Sequence, residues 1–136
     1  MAEEQAIAEE VLRWLIVERA KRPDWQVYVK AVCVGVGEKD PSVQLIANLP
    51  RPGGAIVKAR SECSWSRQPG HVMDKATAAQ AVSLEVGGIT WRAGDHVSAI
   101  GEYSEASLSA GGYTFELARV EPGWWRVRSA RMDWIS

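Results

Sequence analysis

The stretch that decides the fold is GGYTFELARVEPGWWRVRSARMDWIS, residues 111–136. Apolar and polar side chains alternate through residues 113–121 and again from Trp125, and Pro122-Gly123 lies between the two runs. Alternation with a period of two is typical of a strand with one buried face, and a Pro-Gly pair is a turn signal. The stretch therefore predicts two sequential antiparallel strands joined by a tight turn.

The same strand-like period extends back to residue 55, through AIVKARSECSW, the short HVMDKA, AQAVSLEVGGITW and DHVSAIGEYSEASL. Short turns between the runs predict an antiparallel meander. The apolar positions change parity at Gly87-Gly88, near Gly101, and between Val127 and Met132. A parity change needs an extra residue in one strand, so we expect bulges there and a strongly bent, cone-like sheet.

The first third of the chain is predicted to add two helices and one strand. Residues 2–21 carry apolar side chains at helical spacing, and Pro23 follows as a stop signal. DWQVYVKAVCVGVG, residues 24–37, reads as a strand that becomes apolar on both faces, which is typical of a central strand. KDPSVQLIANLP reads as a second, short helix capped by Asp40. We therefore expect one α+β domain, residues 1–136, with the N-terminal helix packed in the concavity of the sheet.

Composition excludes some classes of partner. The chain has 136 residues, a formal net charge of −1 and 46% apolar residues. A balanced charge gives no general attraction for nucleic acid or for an anionic membrane, so neither is expected as a partner. The acidic start MAEEQAIAEE is unlike a signal peptide, and the apolar run VLRWLIV is too short to span a bilayer, so we expect a cytoplasmic protein.

Cysteine and histidine give no sign of a metal or cofactor. Cys33 and Cys63 lie thirty positions apart in apolar, strand-like segments, and in a reducing compartment we expect buried free thiols rather than a disulfide. His71 and His96 have no partner at metal-ligand spacing. The expectation is therefore no metal and no cofactor.

The second half of the chain resembles a known superfamily. The residues that carry the resemblance are Asp95-x-Val97, Gly101-x-Tyr103, Gly112-Tyr113-x-Phe115, Leu117-x-Arg119 and Trp125-x-Val127. Over about residues 80–136 they are similar to the last three strands of the nuclear-transport-factor-2-like superfamily, the cone fold of ketosteroid-isomerase-like and polyketide-cyclase-like proteins. The pairing of SEC at residues 61–63 with the terminal WIS also resembles bacterial proteins that have no assigned activity.

The resemblance implies a pocket between helices and sheet and dimeric packing on the outer sheet face. It implies functions that range from isomerases and dehydratases to plain binding modules. No catalytic residue of those enzymes maps onto this chain, so none is carried over.

Strand parity predicts which aromatic and charged residues lie inside. Several aromatics share parity with valine and leucine neighbours, so they form core or line an apolar pocket. The pocket candidates are Trp91, Tyr103, Glu105, Tyr113, Arg119 and Asp133. Glu105 and Arg119 share the inward parity of Tyr103 and Phe115, and such inward charges are structural or orient a polar ligand. We favour the structural interpretation.

The remaining tail tryptophans are candidates for an interface. Trp125 shares parity with Val127 and is expected in the core, so Trp124 points the other way and is expected to be exposed. Trp134 follows the parity change. An exposed indole on a sheet face is costly unless something covers it. We therefore expect a homodimer with Trp124 or Trp134 at its interface.

Three functions are compatible with these features. The first is a noncatalytic binding module for a small apolar ligand or a partner chain, which the sequence favours. The second is an isomerase, dehydratase or cyclase that uses a buried acid or base, for which Asp95, Tyr103, Glu105 and Asp133 are the first candidates. The third is an interaction or immunity-type protein that uses the outer sheet face. An apolar pocket favours the first, a buried carboxylate at a pocket floor the second, and a filled interior the third.

Overall fold

The computed structural model describes residues 2–66, 70–106 and 109–136 and shows an α+β fold. The helices are α1 (Ala2–Arg19), α2 (Trp25–Tyr28) and α3 (Val43–Asn48). The strands are β1 (Ala31–Val36), β2 (Ile56–Ala59), β3 (Cys63–Ser66), β4 (His71–Asp74), β5 (Ala81–Trp91), β6 (His96–Ala106), β7 (Ser109–Glu121) and β8 (Trp124–Ile135). Among the described residues, no helix is both long and apolar enough to cross a membrane.

The main sheet has the strand order β2-β1-β5-β6-β7-β8 and is mostly antiparallel. Strands β5 to β8 form the predicted meander. The predicted meander from residue 55 does not include β2, because β1 pairs in parallel with both β2 and β5. Parallel neighbours need a crossover connection rather than a tight turn, and the segment that contains α3 supplies it between β1 and β2.

Two of the three predicted register shifts are present. The pairing of β5 with β6 shifts between Gly87 and Thr90. The pairing of β7 with β8 shifts at Arg128, an extra residue in β8 between the paired residues Val127 and Ser129. The parity change after Val127 predicted this shift. The shift expected near Gly101 is wrong, since β6 keeps one face inward through Tyr103 and shifts only near its end.

Helix α1 packs on one face of the sheet, as predicted. Ile7, Val11, Leu12, Leu15 and Ile16 are fully buried there. A Cβ at Gly101 would lie only 2.7, 3.0 and 3.1 Å from side-chain atoms of Phe115, Val11 and Leu15. The glycine thus marks close packing of helix against sheet rather than a bulge, and the interior beneath α1 is filled at this point.

The segment before β1 is the largest local departure from the expected strand. Residues 25–28 form a single helical turn, and the strand begins only at Ala31. Trp25 is buried, and its indole N–H donates to the Pro52 carbonyl oxygen at 2.9 Å. This long-range contact fixes the turn, and a local alternation pattern does not record it. Similarly, the strand expected over residues 55–65 is divided into β2 and β3 by the turn Arg60–Glu62.

The two cysteines form a disulfide, so the expectation of free thiols is wrong. Cys33 and Cys63 have their Cα atoms 6.1 Å apart. Cys33 faces away from α1, on the side of the sheet that we call the outer face, and β3 begins against that face. The hairpin of β3 and β4 packs there through a small apolar cluster of Ala31, Val72 and Ala81, with Cys63 at its side. Two cysteines that are 30 positions apart in sequence become neighbours only because the hairpin folds back onto the sheet.

Candidate functional site

The six pocket candidates lie in three separate places. Trp91 and Arg119 lie at the end of the sheet near the start of α1, and Tyr103, Glu105 and Tyr113 lie toward its other end. Asp133 accepts a hydrogen bond from the Thr114 hydroxyl and lies on the outer face. The structure therefore does not bring these six residues into one site.

The first place is a group of contacts that attach the start of α1 to the β7–β8 turn. Glu3 accepts hydrogen bonds from the Gly123 N–H at 2.9 Å and from the Trp125 indole at 2.6 Å. The Gly123 N–H is the main cause that lowers the pKa of Glu3. Arg119 lies over the Trp125 ring at 5.0 Å and binds Asp95 at 3.1 Å. These contacts hold the helix to the β7–β8 turn, which indicates a structural role for Arg119.

The second place is a buried ion cluster. Glu105 is 7% exposed, and its two carboxylate oxygens accept hydrogen bonds from Arg19 at 2.5 and 3.1 Å and from Arg22 at 2.7 Å. The Arg19 guanidinium also lies 3.8 Å from the centre of the Tyr103 ring. Nearby, burial raises the pKa of the Tyr113 hydroxyl. Glu105 and Arg119 thus have different partners, and Glu105 joins the end of α1 to the sheet.

A wide concave surface lies on the outer face, between the hairpin and strands β5 and β6. It has two parts of about 410 and 560 Å³, which share Arg60 and Ser83, and we call it the outer groove. Its floor is formed by residues of β5 and β6, which are Ser83, Glu85, Gly87, Ile100, Glu102 and Ser104. Its wall includes Ser61, Ser64, Trp65 and Lys75.

Strand parity explains why the floor is polar. Val82, Leu84 and Val86 are buried beneath α1, so Ser83 and Glu85 between them must face outward. On β6, inward Ala99 and Gly101 place Ile100 and Glu102 on the outer face in the same way.

Two glutamates lie directly opposite each other on this floor. Glu85 on β5 pairs with Glu102 on β6. Like charges at opposed positions of neighbouring strands destabilise a sheet. Glu85 is partly compensated, because its carboxylate binds Arg60 at 3.3 Å and accepts the Glu38 N–H, yet burial still raises its pKa. In the part of the chain that the structure describes, no hydrogen bond or ion pair engages the exposed Glu102 carboxylate.

Exposed apolar side chains flank the two glutamates. Gly112 pairs with Glu102 on one side and with Trp134 on the other, and the Trp134 indole lies over Gly112. Ile100 is 46% exposed and Trp134 is 44% exposed. The groove thus places a free carboxylate between half-exposed apolar surfaces.

Comparison with family models, with curated proteins and with solved structures found no match to this chain. The superfamily resemblance therefore stays a proposal, and the site is interpreted from its own chemistry. Paired carboxylates attract a cation. An indole and an isoleucine side chain pack against the apolar stem of a lysine or arginine, and the face of the indole ring also attracts the charged group.

Sequence reasoning did not identify Glu85 and Glu102. The signal was present, since each alternates with inward residues on a strand that was predicted. The sequence alone did not show that the two glutamates lie opposite each other. Their opposition depends on the pairing register of β5 and β6, which shifts between Gly87 and Thr90.

Proposed function

We propose that the protein is a noncatalytic interaction protein that binds a partner protein chain in the outer groove by one lysine or arginine side chain of that partner. The observation that carries the proposal is the Glu102 carboxylate, which has no partner among the described residues and lies opposite Glu85 and beside exposed Ile100 and Trp134. A partner's cation offsets the like-charge repulsion that the free protein contains.

The filled interior supports the outer face as the binding surface. Phe115, Val11 and Leu15 already occupy the space around Gly101, where the cone fold would hold a small apolar ligand. The outer groove, in contrast, is open and has both charge and exposed apolar area. Surfaces of this kind are typical of protein interaction sites.

The contacts of the predicted carboxylate candidates, Asp95, Glu105 and Asp133, support a noncatalytic role. A general acid at neutral pH needs a raised pKa. The Thr114 hydroxyl and the Arg131 guanidinium instead hold the pKa of Asp133 below its usual range. Glu105 is bound by two arginines and Asp95 by Arg119, so the three predicted carboxylate candidates are engaged by contacts within the chain.

Titration with Nα-acetyl-lysine amide, followed by two-dimensional amide NMR, tests the proposal. This probe presents the side chain of the expected partner residue, and Nα-acetyl-norleucine amide is the matched uncharged control. We expect saturable backbone amide shifts that are confined to Ser83, Glu85, Ile100 and Glu102, together with a shift of the Trp134 indole signal. Shifts that are absent, or equal with the norleucine probe, would refute recognition of a cation in the groove.

A homodimer is a second proposal, and the Trp124 end of the molecule supports it. Trp124 is 49% exposed, and Val120 beside it on β7 is similarly exposed. A second copy of the chain would cover both residues, and Trp134 is the alternative contact. Sedimentation at micromolar concentration tests this, with Trp124→Ala and Trp134→Glu as interface variants. A monomer in all three proteins at every accessible concentration would refute the dimer.

The cone shape is a further proposal. The register shifts in β5, β6 and β8, together with α1 on one face, support a strongly bent sheet of the nuclear-transport-factor-2-like type. A crystal structure tests it directly, and a nearly flat sheet beyond the ordinary twist would refute it.

The disulfide bears on where the protein works. Disulfides persist in oxidising compartments and are rare in the cytosol. The Cys33–Cys63 bond therefore supports an oxidising compartment in place of the expected cytoplasm. Alkylation of intact cells, followed by mass analysis of the protein, distinguishes the two, because a protein with both thiols labelled would place it in a reducing compartment.

A further inference from the structure

We propose that Arg60 is an internal competitor for the outer groove, which binds Glu85 within the free protein and is displaced when a partner's basic side chain enters. This inference rests on the proposed function, and it identifies how that same site is regulated. Its basis is the position of Arg60, whose Nε lies 3.3 Å from Glu85 Oε1 and whose side chain lines both parts of the groove.

The pair between Arg60 and Glu85 shows what chemistry this end of the groove accepts. A guanidinium already lies against one of the two opposed carboxylates, and it also donates to the Glu38 carbonyl oxygen at 3.3 Å. The pair lies across Gly35 of β1, where a Cβ would be 2.6 Å from Arg60 Cδ and would also meet the Glu85 carboxylate. The missing side chain at Gly35 therefore leaves the space in which an arginine stem reaches Glu85.

The backbone of Arg60 is fixed, although its side chain is not. The next residue, Ser61, donates its N–H and its hydroxyl to Asp40 at 2.8 and 2.6 Å. Three residues after Arg60, Cys63 is bonded to Cys33 of β1. These anchors hold the arginine at the edge of the groove, so it stays at high effective concentration next to Glu85.

The ion pair itself is weak enough to be exchanged. The Arg60 side chain is 47% exposed, and both of its contacts are 3.3 Å long. Exposed ion pairs of this kind contribute little to stability, so a second cation with an apolar stem competes with them. No described residue pairs with Glu102 in this arrangement, so its carboxylate provides the first contact for the incoming side chain.

While Arg60 of the same chain is bound to Glu85, a partner's side chain cannot bind there. The apparent affinity for the partner is therefore reduced in proportion to the fraction of molecules in which Glu85 is available. Removal of the Arg60 charge should therefore tighten binding. The same change also removes one positive charge from the groove, so its net charge becomes more negative by one unit. A matched control is Lys75→Gln, because Lys75 lines the same groove and no ion pair among the described residues involves it.

The experiment measures the affinity of Nα-acetyl-lysine amide for the wild type, Arg60→Gln and Lys75→Gln, with the Arg60 Nε–Hε signal followed in the wild type. We expect Arg60→Gln to bind several-fold more tightly and Lys75→Gln to stay near the wild type. We also expect the Arg60 Nε–Hε signal to move toward that of a free arginine at saturation.

Any of three outcomes overturns this inference while the proposed function stands. The first is binding in the groove with equal affinity in wild type and Arg60→Gln, and the second is an equal gain in Lys75→Gln. An Arg60 Nε–Hε signal that does not move while Glu102 shifts would also overturn it. If none of the three folded proteins binds the probe, the proposed function fails, and the inference fails with it.

Discussion

The indole of Trp134 lies over Gly112, the residue opposite it on β7, in the place where any larger residue would carry its side chain. Gly112 is buried although it belongs to the outer face, because the indole covers it. This contact directs Trp134 across the sheet toward Glu102, which pairs with Gly112 from the other side. The apolar flank of the groove therefore depends on a glycine.

Gly112→Ala is predicted to displace the Trp134 indole without unfolding the protein. The added methyl meets the end of a side chain rather than backbone, so the indole moves outward. Tryptophan fluorescence and the indole NMR signal of Trp134 should both change. Gly87→Ala is the matched control, since a Cβ there meets nothing within 4 Å. An unchanged indole signal in Gly112→Ala would contradict the contact.

Leu15→Ala is predicted to cost about 2–5 kcal/mol in the free energy of unfolding, the range for truncation of a core leucine. Leu15 is fully buried between α1 and the sheet. Val17→Ala on the same helix is the control, since Val17 is half exposed and should change stability by less than about 0.5 kcal/mol. Urea unfolding measures the free energy of unfolding of both variants. Equal small losses in the two variants would contradict the burial of Leu15 between α1 and the sheet.

Cys33→Ser is predicted to lower the free energy of unfolding by about 3–4 kcal/mol, the loop-closure value for a bridge that spans this many residues. The two cysteines are separated by 30 positions. Reduction of the wild type should have a similar effect, and it should add nothing in the variant. If reduction leaves the unfolding midpoint of the wild type unchanged, the bridge does not contribute to the fold.

Asp74 is predicted to make stability depend on pH in the acid range. A hydrogen bond from Lys58 at 2.9 Å is the main cause that holds the pKa of Asp74 below its usual value of 3.8. A pKa that is lower in the folded state gives stability that is complete above the unfolded value and is lost as pH falls through the folded value. Asp74→Asn should therefore show a flatter acid dependence in urea unfolding. The same slope as the wild type would contradict the pair.

The fold was predictable from the sequence where the information is local. The alternation after residue 80, the turn at Pro122-Gly123 and the bulge at Gly87-Gly88 each leave a mark in a short window, and the meander follows from them. The parallel pairing of β1 with β2 and β5 leaves no such mark, because it depends on which distant strands become neighbours. The Cys33–Cys63 bond was missed for the same reason.

The candidate site was predictable only in part. Parity correctly placed Trp125 inside and Trp124 outside. It placed Glu105 inward as well, but the two arginines of α1 and its following turn that bind it come from a distant part of the chain. The outer groove is formed jointly by the β3–β4 hairpin, the register of β5 with β6 and the close packing at Gly35 and Gly112. The pattern of a single strand does not predict any of these.

The affinity of Nα-acetyl-lysine amide for Glu102→Gln, measured against the wild type and Glu116→Gln, tests the central claim most directly. Both variants remove one exposed carboxylate from the outer face. Glu102 lies in the groove opposite Glu85, whereas Glu116 pairs with Ser98, four positions further along the sheet. We predict that Glu102→Gln loses most of the affinity for the probe and that Glu116→Gln keeps it. Equal affinities in all three proteins would contradict recognition of a basic partner residue at the outer groove.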